Sequence, residues 1–185
     1  SNEQRVIEKI RLLFFIVNEL TCDIIKQINK SVFVEVTTMI DIRIMSIADY
    51  DEVYNLWVNT PGMGLNSTDD SREGIEKYLR RNPTSSFVAE CDGTIIGVIM
   101  AGHDGRRGYI HHTAVLPAYR NQGIAKGLVD CAISALDKEG INKVALVAFK
   151  KNVMGNGFWE NIGFVDRDDL VYRNKNIHEL NRIDT

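Results

Sequence analysis

Residues 109–128 read YIHHTAVLPAYRNQGIAKGL, and this stretch constrains the fold more than any other. A β-rich run from Tyr109 to Val115 is closed by Pro117. Helical spacing then begins past Gly123, with Ile124, Leu128, Val129, Ala132, Ile133 and Leu136 on one stripe, and it ends at Gly140. A strand hands over to a helix through a glycine, which is a poor helix former and needs a reason to be there. The first N–H groups of a helix lack internal partners, and with the helix dipole they make an anion site. Gly123 lets a bulky anion approach the backbone, Ala125 keeps the second contact small, and Arg120 and Lys126 add positive charge. A plain connection with a capping glycine reads the same way, so both readings stand. Two phosphate motifs are excluded. G-x-x-x-x-G-K-[ST] does not occur, and Gly155-Asn-Gly157 opens G-x-G-x-x-G with Glu160 where the third glycine belongs.

The rest of the chain supplies α/β texture from Met39 onward. Asp41–Met45 reads as a strand, and Ser46-Ile-Ala-Asp49 has a capping pattern that starts a helix to about Val58. Pro61–Gly64 is a loop, and Asp70 or Ser71 caps a second helix to about Arg81. Ser86–Glu90 and Thr94–Ala101 flank Asp92-Gly93, a strong hairpin signal. Gly102–Gly108 is a polar loop before the strand at 109–115. Lys143–Phe149 reads as a buried strand, Val153–Asn161 as a short helix stopped by Gly163, and 164–166 with 170–173 as a final hairpin. Ahead of all this, residues 4–29 carry apolar side chains at helical spacing, and VFVEVT at 32–37 is a strand or connector. The organisation expected is an N-terminal amphipathic helix and connector at 1–38, one α/β domain at 39–177 and a polar tail at 178–185. The amphipathic stripe must be buried somewhere, on its own domain or in a homodimer.

Composition narrows the function classes. The chain has 185 residues, enough for a sizeable core, with net charge −3. That balance does not advertise nucleic acid or an anionic membrane. The apolar run Leu12–Val17 falls far short of the roughly 20 residues a membrane span needs. Cys22, Cys91 and Cys131 are scattered and show no C-x-x-C spacing, which argues for a reducing, cytoplasmic setting and against a zinc ribbon. No metal is expected.

The two glycine-marked blocks carry a resemblance. Arg120-Asn-Gln-Gly123-Ile-Ala125 is similar to the [QR]-x-x-G-x-[GA] turn of the GCN5-related N-acetyltransferases, the GNAT superfamily, and Ala114-Val115-Leu-Pro117-Ala-Tyr119 resembles the strand that leads into it. Asn152-Val-Met-Gly155-Asn-Gly-Phe158-Trp159-Glu-Asn-Ile-Gly163-Phe164 resembles the family's second block, N-x-x-A-x-x-F-Y-x-x-x-G-F. The likeness covers residues 39–175, about three quarters of the chain.

The resemblance implies a mixed central β-sheet flanked by helices and transfer of an acetyl group from acetyl-CoA to a primary amine, on a small molecule, a peptide N-terminus or a lysine. It places backbone N–H groups from Gln122 through Gly123, Ile124 and Ala125 to Lys126 on the pyrophosphate, with Arg120 nearby. It puts the backbone of Ala114 and Val115 along the pantetheine arm, the Val115 N–H on the thioester oxygen, Asn152 beside the arm and Phe158 in the channel. In some members of the family, histidines on this strand face the substrate in register with Tyr109 and His111, which makes His111 the candidate proton acceptor; packing histidines and a water chain are the alternative. Strand alternation would turn His112 to the opposite face. Trp159 stands where a tyrosine often donates the leaving-group proton, so Tyr109 or Tyr172 would have to replace it. That departure also leaves open an acyl-CoA-binding regulatory module with little turnover. Trp57, Met63 and Leu65 are expected to wall the acceptor. Asp69, Asp70 and Glu73 would attract a cationic amine or merely charge a helix N-terminus. His103, Arg106 and Arg107 would gate the acceptor or sit in an ordinary turn.

Overall fold

The computed structural model describes residues 39–183. The amphipathic segment at 4–29, the connector at 32–37, Cys22 and the dimer assigned to that segment lie outside the described residues.

The chain enters through β1 (Ile40–Ile44) and a 3-10 turn at Ile47–Asp49, which runs into α1 (Tyr50–Val58). The capping signal is realised. The Asp49 carboxylate accepts from the Ser46 N–H at 2.7 Å and from its hydroxyl at 3.1 Å. Both Arg43 guanidinium nitrogens meet the same carboxylate at 2.8 and 2.9 Å, and Arg43 Nε reaches Glu90 at 3.0 Å. Burial works against this carboxyl's charge, but the Arg43 fork and the Ser46 donors outweigh it and hold Asp49 below the usual range. One half-buried ion-pair network thus ties the end of β1 to the start of α1 and to the neighbouring strand.

After α1 come the two-residue β2 (Leu65–Asn66) and α2 (Arg72–Arg81). Ser71 caps α2, accepting from the Gly74 N–H at 3.1 Å. Next are β3 (Phe87–Cys91) and β4 (Thr94–His103), joined at Asp92-Gly93 with φ of 50° and 77°. Positive φ at both central residues is what a two-residue hairpin turn demands. A tight turn at 104–107, built on Arg106 and Arg107 N–H groups donating to Asp104 Oδ1, leads into β5 (Gly108–Val115). Then follow α3 (Ile124–Lys138), β6 (Val144–Leu146), α4 (Val153–Asn161) and β7 (Arg182–Ile183).

The main sheet has the order β1-β3-β4-β5-β6, antiparallel except for the parallel pair β5–β6. The expected mixed sheet is therefore present, with helices on both faces. α3 and α4 cover one face over Ile96, Ile99, Ile110, Leu128 and Leu136. α1 and α2 cover the other over Val53, Trp57, Val88, Val98 and Met100. Central β4 is buried from Ile95 to Gly102, as a strand covered on both faces must be.

Three expectations are corrected. The strand at 143–149 shrinks to Val144–Leu146 and is not fully buried, because it is the outermost strand and leaves the sheet after Leu146. The final hairpin does not form: 164–166 and 170–173 carry no strand, and Arg167 instead pairs locally with Asp169 at 2.7 Å. Arg182–Ile183, read as tail, pairs with Leu65–Asn66 and so closes over the loop between α1 and α2.

Gly102 sits where β4 passes under α2. A Cβ there would lie 2.5 Å from Asn82 Cγ and 2.6 Å from the Tyr78 hydroxyl. Asn82 is held by accepting from the His103 N–H at 2.9 Å. Gly102→Ala is expected to cost about 1–3 kcal/mol as overpacking. Urea unfolding checks this, and an unchanged midpoint would mean that Tyr78 and Asn82 yield freely.

Candidate active site

β5 and β6 are paired only at Gly108↔Val144, Tyr109↔Ala145 and Ile110↔Leu146. Beyond Ile110 the two strands part, and the β6-side edge of β5 from His111 to Val115 is open. The register shows which groups line it. Leu116 donates its N–H to Ile96 at 2.9 Å, and Val115 faces Gly97 across β4. Hydrogen-bonded and non-hydrogen-bonded pairs alternate in an antiparallel ladder. Val115, and Thr113 two residues earlier, therefore turn their N–H and C=O groups away from β4 and into the opening. Ala114 instead faces Val98 within the ladder and packs its side chain under α1.

This open edge leads into the glycine turn. Asn121 and Gly123 take φ of 60° and 80°, so alternate residues are left-handed. Successive N–H groups in such a turn form a concavity suited to an anion. The first helical bond runs from Gly127 N–H to Gly123 C=O at 2.9 Å. The N–H groups of Ile124, Ala125 and Lys126 therefore precede the ladder and have no carbonyl of the helix to meet. A Cβ on Gly123 would meet nothing within 4 Å, so glycine serves the positive φ and leaves room in front of those groups. The side chains brace the turn from outside. Arg120 Nε donates to the Val115 C=O at 3.0 Å, Gln122 Nε2 to the Ala118 C=O at 3.2 Å, and Lys126 pairs with Asp130 at 2.6 Å.

On α4, Asn152 is the N-cap and accepts from the Gly155 N–H at 3.0 Å. A Cβ on Gly155 would come within 2.5 Å of Asn152 Nδ2, which accounts for glycine at that position. Phe158 packs partly buried against the α3 face. Trp159 lies between Phe158 and Phe164, with ring centroids 5.0 and 5.1 Å away in edge-on contacts, and serves packing.

The histidines depart from simple alternation. Ile99 pairs with Thr113 and Ala101 with Ile110, so Met100 alone opposes both His111 and His112. This is a β-bulge, which turns both imidazoles toward the layer of α1 and α2. His111 lies between Tyr109, at 4.7 Å, and Tyr78 of α2, edge-on at 5.4 Å. His112 Nε2 is 2.7 Å from Asp70 Oδ1, with the Trp57 ring 5.0 Å away. The expectation that His112 faces the opposite side is thus overturned by the extra residue. The Asp70–His112 pair was missed by the sequence reading; its only signals were a second carboxylate beside Ser71 and two adjacent histidines.

Burial, then the neighbouring His112, push the His111 imidazole below its ordinary value, while Asp70 and Asp69 pull the other way. Burial, with Tyr172 nearby, raises the Tyr109 phenol, which therefore stays protonated at neutral pH. Solvent reaches His111. Trp57 and Leu65, expected to wall an acceptor, are wholly buried core residues, whereas Met63 is only partly covered. Asp70 is buried; Asp69 and Glu73 are exposed. His103 pairs with Glu139 at 2.7 Å beside the ordinary turn that carries Arg106 and Arg107.

Comparison with known proteins identifies the family. The family profile described as Acetyltransferase (GNAT) family matches residues 50–164. An acetyltransferase of Yersinia pestis (strain Pestoides F) is 31% identical over 131 residues, covering 71% of this chain and 92% of the relative. Among solved structures, the aminoglycoside N-acetyltransferase AAC(6')-Iy in complex with CoA has a TM-score of 0.59 at 21% identity, covering 74% of this chain and 95% of that one. The ribosomal-protein-S18-alanine N-acetyltransferase of Escherichia coli has a TM-score of 0.57 at 18% identity, covering 70% and 79%. The chain belongs to the acetyltransferase (GNAT) family and is an N-acetyltransferase whose acetyl donor is acetyl-CoA.

Proposed function

We propose that the protein acetylates a primary amine by direct attack on the acetyl-CoA thioester, the amine belonging to a small molecule, a peptide N-terminus or a lysine. The observation that carries this reading is the unbroken line from the open edge of β5, with its inward N–H groups, into the left-handed turn ahead of α3. That line fits a long donor with a pyrophosphate at one end. Bound there, acetyl-CoA supplies an activated acyl carbon and a thiolate leaving group.

Each residue then has a task. The N–H groups of Gln122 to Lys126 hold the pyrophosphate, with Arg120 fixing the turn against Val115. The backbone of Ala114 and Val115 runs alongside the pantetheine arm in the manner of an added strand. The Val115 N–H meets the thioester oxygen as negative charge develops on it. Asn152 and Phe158 line the far wall. His111 takes the proton of the incoming ammonium, which frees the nitrogen lone pair for attack. Its depressed basicity keeps it unprotonated near neutrality, and solvent reaches its ring. The C–N bond forms, the C–S bond breaks, the electron pair leaves on sulfur, and the second proton shed by the nitrogen replaces the one that the thiolate takes up. A thiol pKa near 8.5 makes that thiolate a fair leaving group, and the protonated Tyr109 is the nearby donor. Cys91 and Cys131 are free thiols, which supports a reducing, cytoplasmic setting.

The spread of solved relatives, from an aminoglycoside enzyme to a protein N-terminal one, sets the panel for the test. With acetyl-CoA and aminoglycosides, polyamines or peptides with a free N-terminal alanine, thiol release is expected with at least one amine. Tight donor binding without turnover on any of them would sink the proposal. Gly123→Glu places a negative side chain in the open space before the turn and is expected to weaken acetyl-CoA binding at least about 10-fold by calorimetry; normal binding would misplace the pyrophosphate. His111→Ala is expected to lower the rate about 100-fold near neutral pH. In the wild type the acid limb of the rate is expected to lie below the ordinary imidazole range, because protonation of His111 is suppressed. The variant should lose that acid limb, and an unchanged profile would retire His111.

A further inference from the structure

Asp70 is the one carboxylate of the α2 entry that the fold has buried, with 5% exposed. It is not spent on capping, which Ser71 performs. Instead Oδ2 accepts from the Asn66 N–H at 2.6 Å, and Oδ1 faces His112 Nε2 at 2.7 Å. Its own carbonyl accepts from the Tyr50 hydroxyl at 2.9 Å. A buried carboxylate is costly unless it is paired, and here both oxygens are aimed. The bulge meanwhile sets two imidazoles opposite the single residue Met100. The His112 ring is the one that packs against Trp57, with centroids 5.0 Å apart.

We propose that the Asp70–His112 pair is a positioning device for acetyl transfer: it pins the inner ring of the β5 bulge, so that His111 stays turned to the acceptor between Tyr78 and Tyr109. The inference rests on the reading of His111 as proton acceptor. Asp70 acts through His112, and His112 through the bulge, so neither needs to touch the substrate. The pair has a second consequence. His112, next to His111, opposes a proton on it. The groups that face His111 are His112 and Tyr109 from β5, Tyr78 from α2, and Asp69 and Asp70 from the loop ahead of α2. Of these, His112 works with burial to keep the ring unprotonated, while the two aspartates work against both.

The test uses the full chain labelled with 15N at its four histidines, titrated by imidazole NMR, with His111→Ala assigning the signal. His112→Gln keeps an N–H for Asp70 and can never be charged. In this variant the His111 midpoint is expected to move to higher pH. Against the amine turned over fastest, kcat near pH 6 should fall and recover as pH rises, with KM for acetyl-CoA unchanged. His112→Phe removes the hydrogen bond as well, and the rate is expected to drop about 100-fold across the whole pH range through misplacement of His111. A His111 midpoint that does not move in His112→Gln, or a His112→Phe enzyme of wild-type rate, overturns the proposal. The titration needs no acceptor, so an absence of turnover on every amine would count against the acetyl-transfer reading alone and leave the pair to be judged by the midpoint.

Discussion

The parting of β5 from β6 after Ile110 is the constraint on which the rest of this structure turns. A parallel pair satisfies one edge of each strand, and where it ends those backbone groups must find another partner or face water. Here the pairing stops after three residue pairs. The sheet holds together regardless, because β4 and β5 stay paired from His103↔Gly108 to Gly97↔Val115. Strand β5 can therefore give up one edge without losing its place. The N–H and C=O of Thr113 and the N–H of Val115, turned away from β4, become a ladder with a missing rung, and a polyamide arm is the kind of molecule that fills it. Arg120 closes one end by folding back onto the Val115 carbonyl.

The same strand solves a second problem with its bulge. A regular strand would send His111 and His112 to opposite faces. The inserted residue turns both toward α1 and α2 and so sets two imidazoles side by side on one face of the sheet. The cost is crowding, which the fold meets by dividing labour. One ring is sunk against Trp57 and the buried Asp70; the other is left between two tyrosines with solvent at hand. Gly102 is part of this arrangement, since any side chain there would collide with Tyr78 and Asn82 and disturb the wall beside His111.

The elements that the sequence disclosed best were those with local causes. Ser46 and Asp49, Asp92-Gly93, Ser71 and Gly123 each sit where a cap or a positive φ demands that residue type, and each was found there. The misreadings came from nonlocal causes. Val144–Leu146 is short because β6 must leave β5, and nothing within LVAF announces the departure. The hairpin at 164–173 fails to form while the polar tail supplies Arg182–Ile183 as a strand, since pairing depends on what lies opposite and not on propensity alone. Trp57 and Leu65, apolar and next to a loop, looked like pocket walls but are core. The bulge was invisible because it is a mismatch between two strands, and neither strand records it alone.

This contrast explains why the donor can be read from sequence and the acceptor cannot. On the proposed reading the donor side is made of backbone: an open edge, a left-handed turn and the first N–H groups of a helix. Backbone geometry needs glycine at fixed spacing, and such spacing repeats wherever the same donor is used. On the same reading the acceptor side is made of side chains carried by four separate pieces, β5, α1, α2 and the loop before α2. Each is free to change its chemistry without disturbing the sheet. Asp70 shows the consequence. In sequence it is one of several acidic residues at a helix entry; in space it is the buried partner of His112. Residues that select the amine must therefore be sought on the face that the bulge presents, where Asp69, Tyr78, Tyr109 and His111 converge, and not in the turn that identifies the family.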